Sequence, residues 1–465
     1  MEGNGMVDVD MISLFPQNTF KNRPNGLRAD LAQKLADLKP GFIRFPGGCI
    51  VEGRDLTNRY QWKTTVGDIE ERKLIMNRWN VEFRQKLTPD YFQSFGLGFY
   101  EYFQLAEDIG AEPLPILNCG MACQYNSGEV VSLDALQPYI QDALDLIEFA
   151  NAPVTSRWGK LRSDMGHPAP FNLKMLGVGN EQWESQYFDR YKIFEKAILD
   201  KYPAIKIVSG SGPSSDGGYF DMAWKELKQL HPGYVDEHYY KPPKWFLDNA
   251  NRYDNYDRNA PKVFAGEYAA HPKESGNPEG RNNWESAIAE AAFMTGLERN
   301  ADVVNMASYA PLLAHVEAWQ WRPDLIWFDN LRSVATPNYY VQQLFAANKG
   351  TNAVPILRNG AVVAGKDSIY ASAAIDKNTG ELIVKLVNVT DAAVTTVLQL
   401  EKVTVPKQNA TVTVLKSTDK NAFNTLDNPV LVQPVPAVVM VNGNKIPYVL
   451  EPSSVTVIRI KCKNI

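Results

Sequence analysis

Two hydrophobic periods divide this chain. Up to about residue 350, short apolar runs recur at strand length: "FIRF" (42–45), "PLPILN" (113–118), "KMLGVG" (174–179), "IKIVSG" (205–210), "YVDEHYY" (234–240), "KVFAGEY" (262–268) and "DVVNMASYA" (302–310). Unbroken runs of this kind suit strands covered on both faces, as in parallel sheets. Between them the apolar positions follow a helical stripe. In "DALQPYIQDALDLIEFA" (134–150), Leu136, Ile140, Leu144 and Ile147 share one face, and 189–202 and 283–300 behave alike. Strand and helix in alternation predict βα units. Seven strands in one run favour a (β/α)8 TIM barrel over an open doubly wound sheet. No GxGxxG follows any strand, which argues against a dinucleotide fold.

Beyond residue 350 the period drops to two. "GELIVKLVNVT", "TTVLQLEKV", "ATVTVLKS" and "SSVTVIRIK" alternate or are β-branched, with Asn, Asp, Gly and Pro turns between them. They predict a small all-β sandwich. The helical stretch 336–350 closes the barrel. The expected organisation is a lead-in or remnant of an upstream β module (1–20), a catalytic barrel (21–349) and a β-sandwich (350–465).

Composition narrows the function. The 465 residues carry a net charge of −5 and no long basic run, which argues against a nucleic-acid partner. Aromatic residues make up 11%, including 10 Trp, a surplus that large cores or sugar-binding clefts absorb. The cysteines Cys49, Cys119, Cys123 and Cys462 form no disulfide framework, and the Cys119/Cys123 spacing lacks the partner cluster of a zinc site. No stretch approaches the ~20 apolar residues of a membrane helix. "MEGNGMVDVD" is acidic and polar, unlike a signal peptide. No HExxH or GxSxG occurs, so neither metal nor cofactor is expected.

The chemistry concentrates where strands end. "MLGVGNEQWE" (175–184) leaves its strand through glycine and places Glu181 just past the end, and Glu267 ends another strand in "VFAGEYAA". Barrel active sites lie at the C-terminal strand ends. Two carboxylates there are what glycoside hydrolysis requires. They fall on the third and sixth runs, on nearly opposite walls, with room for a sugar ring between. The competing reading makes each Glu a helix cap or an arginine partner.

The motifs "FIRFPGGCIVEG" (42–53), "NRYQWKTTVGDIEER" (58–72), "GVGNEQW", "DEHYY" and "VFAGEYAA", and the tail "LEPSSVTVIRI", resemble family 51 α-L-arabinofuranosidases nearly end to end. The resemblance implies a retaining, cofactor-free, exo-acting enzyme. Such an enzyme releases terminal arabinofuranose from arabinan, arabinoxylan or their oligosaccharides by double displacement. Glu181 matches the general acid/base and Glu267 the nucleophile. Asn180 would bind the sugar 2-hydroxyl, and Trp183 would give Glu181 apolar surroundings. His238 and Tyr240 match the motif that sets a Tyr or His beside the nucleophile. Neighbours on a strand face opposite ways, so either Tyr239 or Tyr240 reaches Glu267. Gly47 and Gly48 turn the backbone sharply, and Cys49 matches a position lining the arabinose pocket. Arg44 orients a catalytic carboxylate or forms a structural ion pair. Trp62, Trp79 and Tyr60 are candidates for stacking the leaving-group sugar, with core packing as the alternative. Where the family often has Trp-Arg-Gln, this chain reads "WRPDLIWFDN", and Asp324 stands in for the missing amide.

The alternatives are an endo-xylanase or glucanase of the same clan, or a catalytically weak carbohydrate-binding fragment. The expected partner is an arabinofuranosyl oligo- or polysaccharide, with no membrane; a homo-oligomer is allowed. The helical pattern "GLRADLAQKLADL" (26–38) precedes "FIRF". With "FIRF" as strand two, the two Glu strands become four and seven, as the resemblance requires. Strand one would then fall in "MVDVDMISLF" (6–15), which lacks the arabinose-binding Glu of the family's first strand. The expectation is a C-terminal portion of a longer, extracytoplasmic enzyme with an open barrel edge.

Overall fold

All seven apolar runs become parallel strands of one sheet. In the computed structural model, which describes residues 5–8, 12, 14–81, 92–272 and 281–463, they are β1 (Phe42–Phe45), β2 (Glu112–Leu117), β3 (Met175–Val178), β4 (Lys206–Gly210), β5 (Tyr234–Lys241), β6 (Val263–Ala270) and β7 (Val304–Tyr309). Their order in the sheet is their order in the chain. Each connection therefore needs a crossover, and helices supply them: α2 (Phe99–Ile109), α3 (Gln137–Asn151) and α4 (Arg157–Asp164), α5 (Ser185–Lys201), α6 (Gly218–Leu230), α7 (Pro243–Asp248) and α8 (Trp284–Arg299). Helix α1 (Ala29–Asp37) precedes β1 and α9 (Pro337–Ala347) follows β7.

The ends of these helices are written locally. Glu101 accepts from the Gly98 N–H at the start of α2 (2.9 Å), and Gly110 ends it in the left-handed conformation. Asn283 and Thr336 cap α8 and α9. Strands β3 and β6 are buried at every position, which is why their sequences are continuous rather than alternating. Leu114, Ile116, Met175, Val208 and Phe264 fill the inside of the sheet, while a larger core lies between strands and helices.

The sheet curls into a barrel of seven described strands, and β1 and β7 are its two edges. An eighth, leading strand is not found among the described residues. Of positions 6–15, residues 6–8, 12, 14 and 15 belong to no strand, and the rest lie outside the described residues. Nor do the described residues of 1–20 form a β module. Thr19 bridges to Arg28, and Phe20 is buried in the barrel core.

The second period gives a six-stranded antiparallel sheet and a two-stranded partner. Two central strands, β9 (Ile369–Asp376) and β10 (Glu381–Asn388), follow β8 (Asn352–Val354). In β10, Leu382, Val384 and Leu386 point into the sandwich, while Ile383 and Val387 join the barrel core. Between these two, buried Lys385 forms an ion pair with Glu298 of α8. Helix α8 is therefore buried on nearly all sides, and Trp284 bonds Ser453 across the junction (2.8 Å). Among the described residues no helix is long and apolar enough to cross a membrane.

Candidate active site

Residues in or just past β1, β3, β5 and β6 meet at one cavity of about 1900 Å3, lined by Arg44, Gly48, Cys49, Glu181, Tyr240 and Glu267; Glu267 lies within β6, which continues to Ala270, and does not end it. The cavity continues down between the edge strands, past Phe42 and Ile43 on one side and Val304 and Met306 on the other.

The turn after β3 is built to expose a carboxylate. Gly179 takes φ +74°, and a Cβ there would press on Gln182 Oε1 at 2.5 Å and the Tyr187 ring at 2.9 Å. Gln182 accepts from the Asn180 N–H (2.5 Å) and donates to buried Glu52. Asn180 and Gln182 are thereby buried, while Glu181 remains partly open to the cavity.

Glu267 is held by three neighbours. Arg44 Nη1 donates to Oε1 (2.7 Å) and its Nη2 to Asn180 Oδ1 (2.7 Å). The Tyr240 hydroxyl donates to Oε2 (2.8 Å). A register shift between Glu237 and His238 sets His238 directly beside Glu267 on the neighbouring strand. His238 Nδ1 lies 2.8 Å from Glu181 Oε1 and 3.7 Å from Glu267 Oε2. One oxygen of each carboxylate and one imidazole nitrogen all lie within 4.8 Å of one another. Burial alone would push the Glu267 carboxyl up. The charges of His238 and Arg44 and the Tyr240 hydrogen bond reverse this and hold it below its ordinary value. Burial opposes the charge on His238 as well, but Glu267 and Asp236 raise its pKa well above the ordinary imidazole value.

Asp236 completes the arrangement. It lies 3.4 Å from Arg44 and 3.3 Å from His238 Nε2. Gly266 makes room for it, since a Cβ at that position would sit 1.9 Å from Asp236 Oδ1. The alternation in "DEHYY" places Asp236, His238 and Tyr240 on one face, which is the signal that locates Asp236. It also settles the tyrosines, because Tyr239 turns outward to Glu237.

The remaining candidates separate. Cys49 Sγ lies 3.7 Å from Glu181 Oε2. Trp183 is not among the residues that line the cavity; its ring packs 5.0 Å from that of Tyr125, which does line it, and 5.3 Å from Tyr219. Trp79 reaches the cavity wall and packs on Trp321 (5.5 Å). Asp324 also lines the cavity, and burial pushes its carboxyl well above the usual range. Trp62 does not belong here. Its indole N–H donates to the Asp142 carbonyl (2.9 Å), and its ring packs against Phe149 and Trp158 in the helical layer. Tyr60 is likewise core, against Phe95 and Phe99.

Behind Cys49 lies a group that sequence spacing does not reveal. Cys123, 74 positions later, comes into its company because the turn after β2 bonds to Gly53. Contact with the Cys49 thiol and the Arg78 guanidinium, against the opposing effect of burial, lowers the Cys123 thiol to about 6.

Residues 34–258 match the family model "Alpha-L-arabinofuranosidase 1 domain", and residues 266–454 match "Alpha-L-arabinofuranosidase C-terminal domain". The chain is similar to an extracellular exo-α-L-arabinofuranosidase of Streptomyces chartreusis, 50% identical over 364 residues, covering 76% of this chain and 42% of the relative. It is similar to α-L-arabinofuranosidase 1 of Arabidopsis thaliana, 35% identical over 458 residues, covering 97% and 62%. This chain thus spans about two-fifths to three-fifths of the length of these two relatives. An arabinose-bound family 51 α-L-arabinofuranosidase superposes with a TM-score of 0.84 at 34% identity, covering 96% of this chain and 68% of that one. The fold, the carboxylate pair at the barrel mouth and these matches agree: the chain belongs to the family 51 α-L-arabinofuranosidases.

Proposed function

We propose that this chain forms the catalytic part of a retaining, exo-acting α-L-arabinofuranosidase, with Glu267 as nucleophile and Glu181 as general acid/base. The observation that carries the reading is the approach of the two carboxylates, with one oxygen of each within 4.8 Å. Retaining glycosidases hold their carboxyls about 5–5.5 Å apart, whereas inverting enzymes leave about 6.5–9.5 Å for a water. In the first step Glu267 forms a bond to the anomeric carbon as the glycosidic bond breaks, and Glu181 gives its proton to the departing oxygen. In the second, Glu181 takes a proton from water, which attacks the same carbon and frees Glu267. Arg44, His238 and Tyr240 favour the ionised Glu267 that the first step needs. Asn180 Nδ2 is buried with no hydrogen-bond partner among the described residues, a donor suited to a sugar hydroxyl.

The substrate class follows the family: terminal arabinofuranosyl groups of arabinan, arabinoxylan or derived oligosaccharides. The relative named extracellular supports an extracytoplasmic setting. The division into a barrel unit (21–349) and a sandwich (350–465) is supported by the sandwich's own apolar core, formed entirely by residues beyond 350, while its other face, with Ile383 and Val387, packs into the barrel core. Hydrolysis of aryl α-L-arabinofuranoside, β-D-xyloside and β-D-glucoside, with the product anomer followed by NMR, tests the proposal. Turnover of the arabinofuranoside with retained configuration is expected. Faster cleavage of the glucoside, or inversion, would overturn it.

A further inference from the structure

We propose that Cys49, Glu52 and Cys123 form a binding site for one thiophilic divalent cation, such as Zn2+ or Cd2+, and that its occupation shuts down the acid/base Glu181. One ligand atom from each of the three side chains lies within 4.8 Å of the other two, and all three residues are buried. Tetrahedral bonds of about 2.3 Å to sulfur and about 2.1 Å to oxygen set ligand atoms roughly 3.6–3.8 Å apart, so side-chain rotations of about an ångström close the site.

A second observation points to a missing partner. Glu52 Oε1 is occupied by Gln182, but its Oε2 is buried and has no hydrogen-bond partner among the described residues. A fourth ligand adjoins the cluster at Cys49, where Glu181 Oε2 stands 3.7 Å from Sγ, and a turn of the Glu181 side chain toward the cluster would bring it onto the ion. Two thiols and one carboxylate thus converge, with Glu181 beside Cys49 and the Arg78 guanidinium 3.0 Å from Cys123 Sγ. The soft donors of this set select zinc or cadmium over magnesium or calcium. Entry is through Cys49, which lines the cavity. Binding sends the displaced thiol and carboxyl protons to solvent. A Glu181 carboxylate tied to the ion can neither deliver nor accept a proton.

The inhibition half of this inference rests on the role proposed for Glu181; the binding half does not. Titration of the purified chain with CdCl2 separates them. A sulfur-to-cadmium charge-transfer band in the ultraviolet should saturate at one ion per chain. Activity should fall in parallel, and a chelator should restore both signals. Cys123→Ser should remove most of the band and raise the half-inhibitory concentration at least tenfold. Glu52→Gln, which keeps both thiols, should raise it at least threefold. The site is disproved if no band appears, or if Cys123→Ser is inhibited at the parent's concentration, which would place the ion on Glu181, His238 and Glu267. Loss of activity reversed by a thiol reductant but not by a chelator would mean a Cys49–Cys123 disulfide and would also disprove it. A saturating band without inhibition would refute the claim on Glu181 alone.

Discussion

Strand β5 carries two buried carboxylate clusters back to back, and they are finished differently. On the outward face, Glu237 is fully buried. Its Oε1 accepts from the Trp224 indole (2.9 Å) and the Tyr256 hydroxyl (3.0 Å); its Oε2 accepts from Tyr239, from Tyr253 (2.8 Å) and weakly from Arg252 (3.5 Å). On the inward face, Glu267 also receives an Arg and a Tyr. There, however, Asn180 Nδ2 is left without a hydrogen-bond partner among the described residues, Asp236 Oδ1 and His238 Nε2 meet only each other at 3.3 Å, and the cluster opens on the cavity. The ingredients are nearly the same. One cluster turns both carboxylate oxygens to donors of the fold, whereas the other keeps an amide donor in reserve beside the cavity. Buried polar groups without partners cost stability, so the reserve marks where a ligand completes the hydrogen bonding.

The largest contrast should come from removing each carboxylate. Glu267→Ala should lower kcat by roughly 10⁴-fold or more, while leaving the denaturation midpoint equal or higher. Glu237→Ala should do the reverse, costing about 3–5 kcal/mol by stranding Arg252, with kcat of the folded fraction within about twofold. Equal damage to activity by both would erase the distinction.

Next comes the partner carboxylate. Glu181→Ala should cost roughly 10²–10⁴-fold on alkyl or sugar leaving groups and far less on activated aryl glycosides. Azide should restore part of this variant's activity and none of Glu267→Ala. Equal losses on both leaving groups would exchange or remove the assigned roles.

The tyrosines make a finer test, since they are adjacent in sequence and opposite in face. Tyr240→Phe should lower kcat about 10-fold or more with little change in stability. Tyr239→Phe should leave kcat alone and cost about 1–3 kcal/mol, the usual consequence of a buried acceptor losing its donor.

The smallest effect is on pH dependence. His238 has a raised pKa, so its contribution to stability is complete below the ordinary imidazole value of about 6.5 and is lost as pH rises through the folded value. Over that window it should reduce stability by up to about 1.4 kcal/mol per pH unit, and His238→Gln should flatten the slope in denaturant melts. Glu267, with a depressed pKa, acts at the other end. Its contribution is present above the ordinary carboxylate value and lost as pH falls through the folded one.

Much of this was readable in the sequence because of strand physics. Parallel strands buried on both faces leave unbroken apolar runs, and a carboxylate directly after such a run has few places to go except the barrel mouth. Glu181 and Glu267 are legible for that reason, as is the change of period that marks the sandwich. Trp62 was not legible, because an indole serves equally as stacking platform or core filler. The Asp142 carbonyl that accepts its N–H decides the matter, and it lies 80 positions away. Cys123 is silent for a similar reason, since its nearness to Cys49 exists only once two loops meet. Residues 6–15 divide the reading: they were expected to supply no first barrel strand, and the described ones among them belong to none, but they do not form the end of a β module either.

Among the described residues, the four-residue strand β1 is bonded on one side, to β2, yet it carries the guanidinium that joins Asn180 to Glu267. The alignment of the reacting groups therefore hangs from one of the sheet's least anchored segments. Free energies of local opening are lowest where few hydrogen bonds must break, so warming should detach β1 before the rest of the barrel melts. Catalysis would then fade several degrees below the loss of far-ultraviolet ellipticity and return on cooling. Coincident curves would instead mean that β1 melts with the whole molecule. On that expectation, the temperature at which the reacting groups lose their alignment is set by the fraying of one short edge and not by the cohesion of the core.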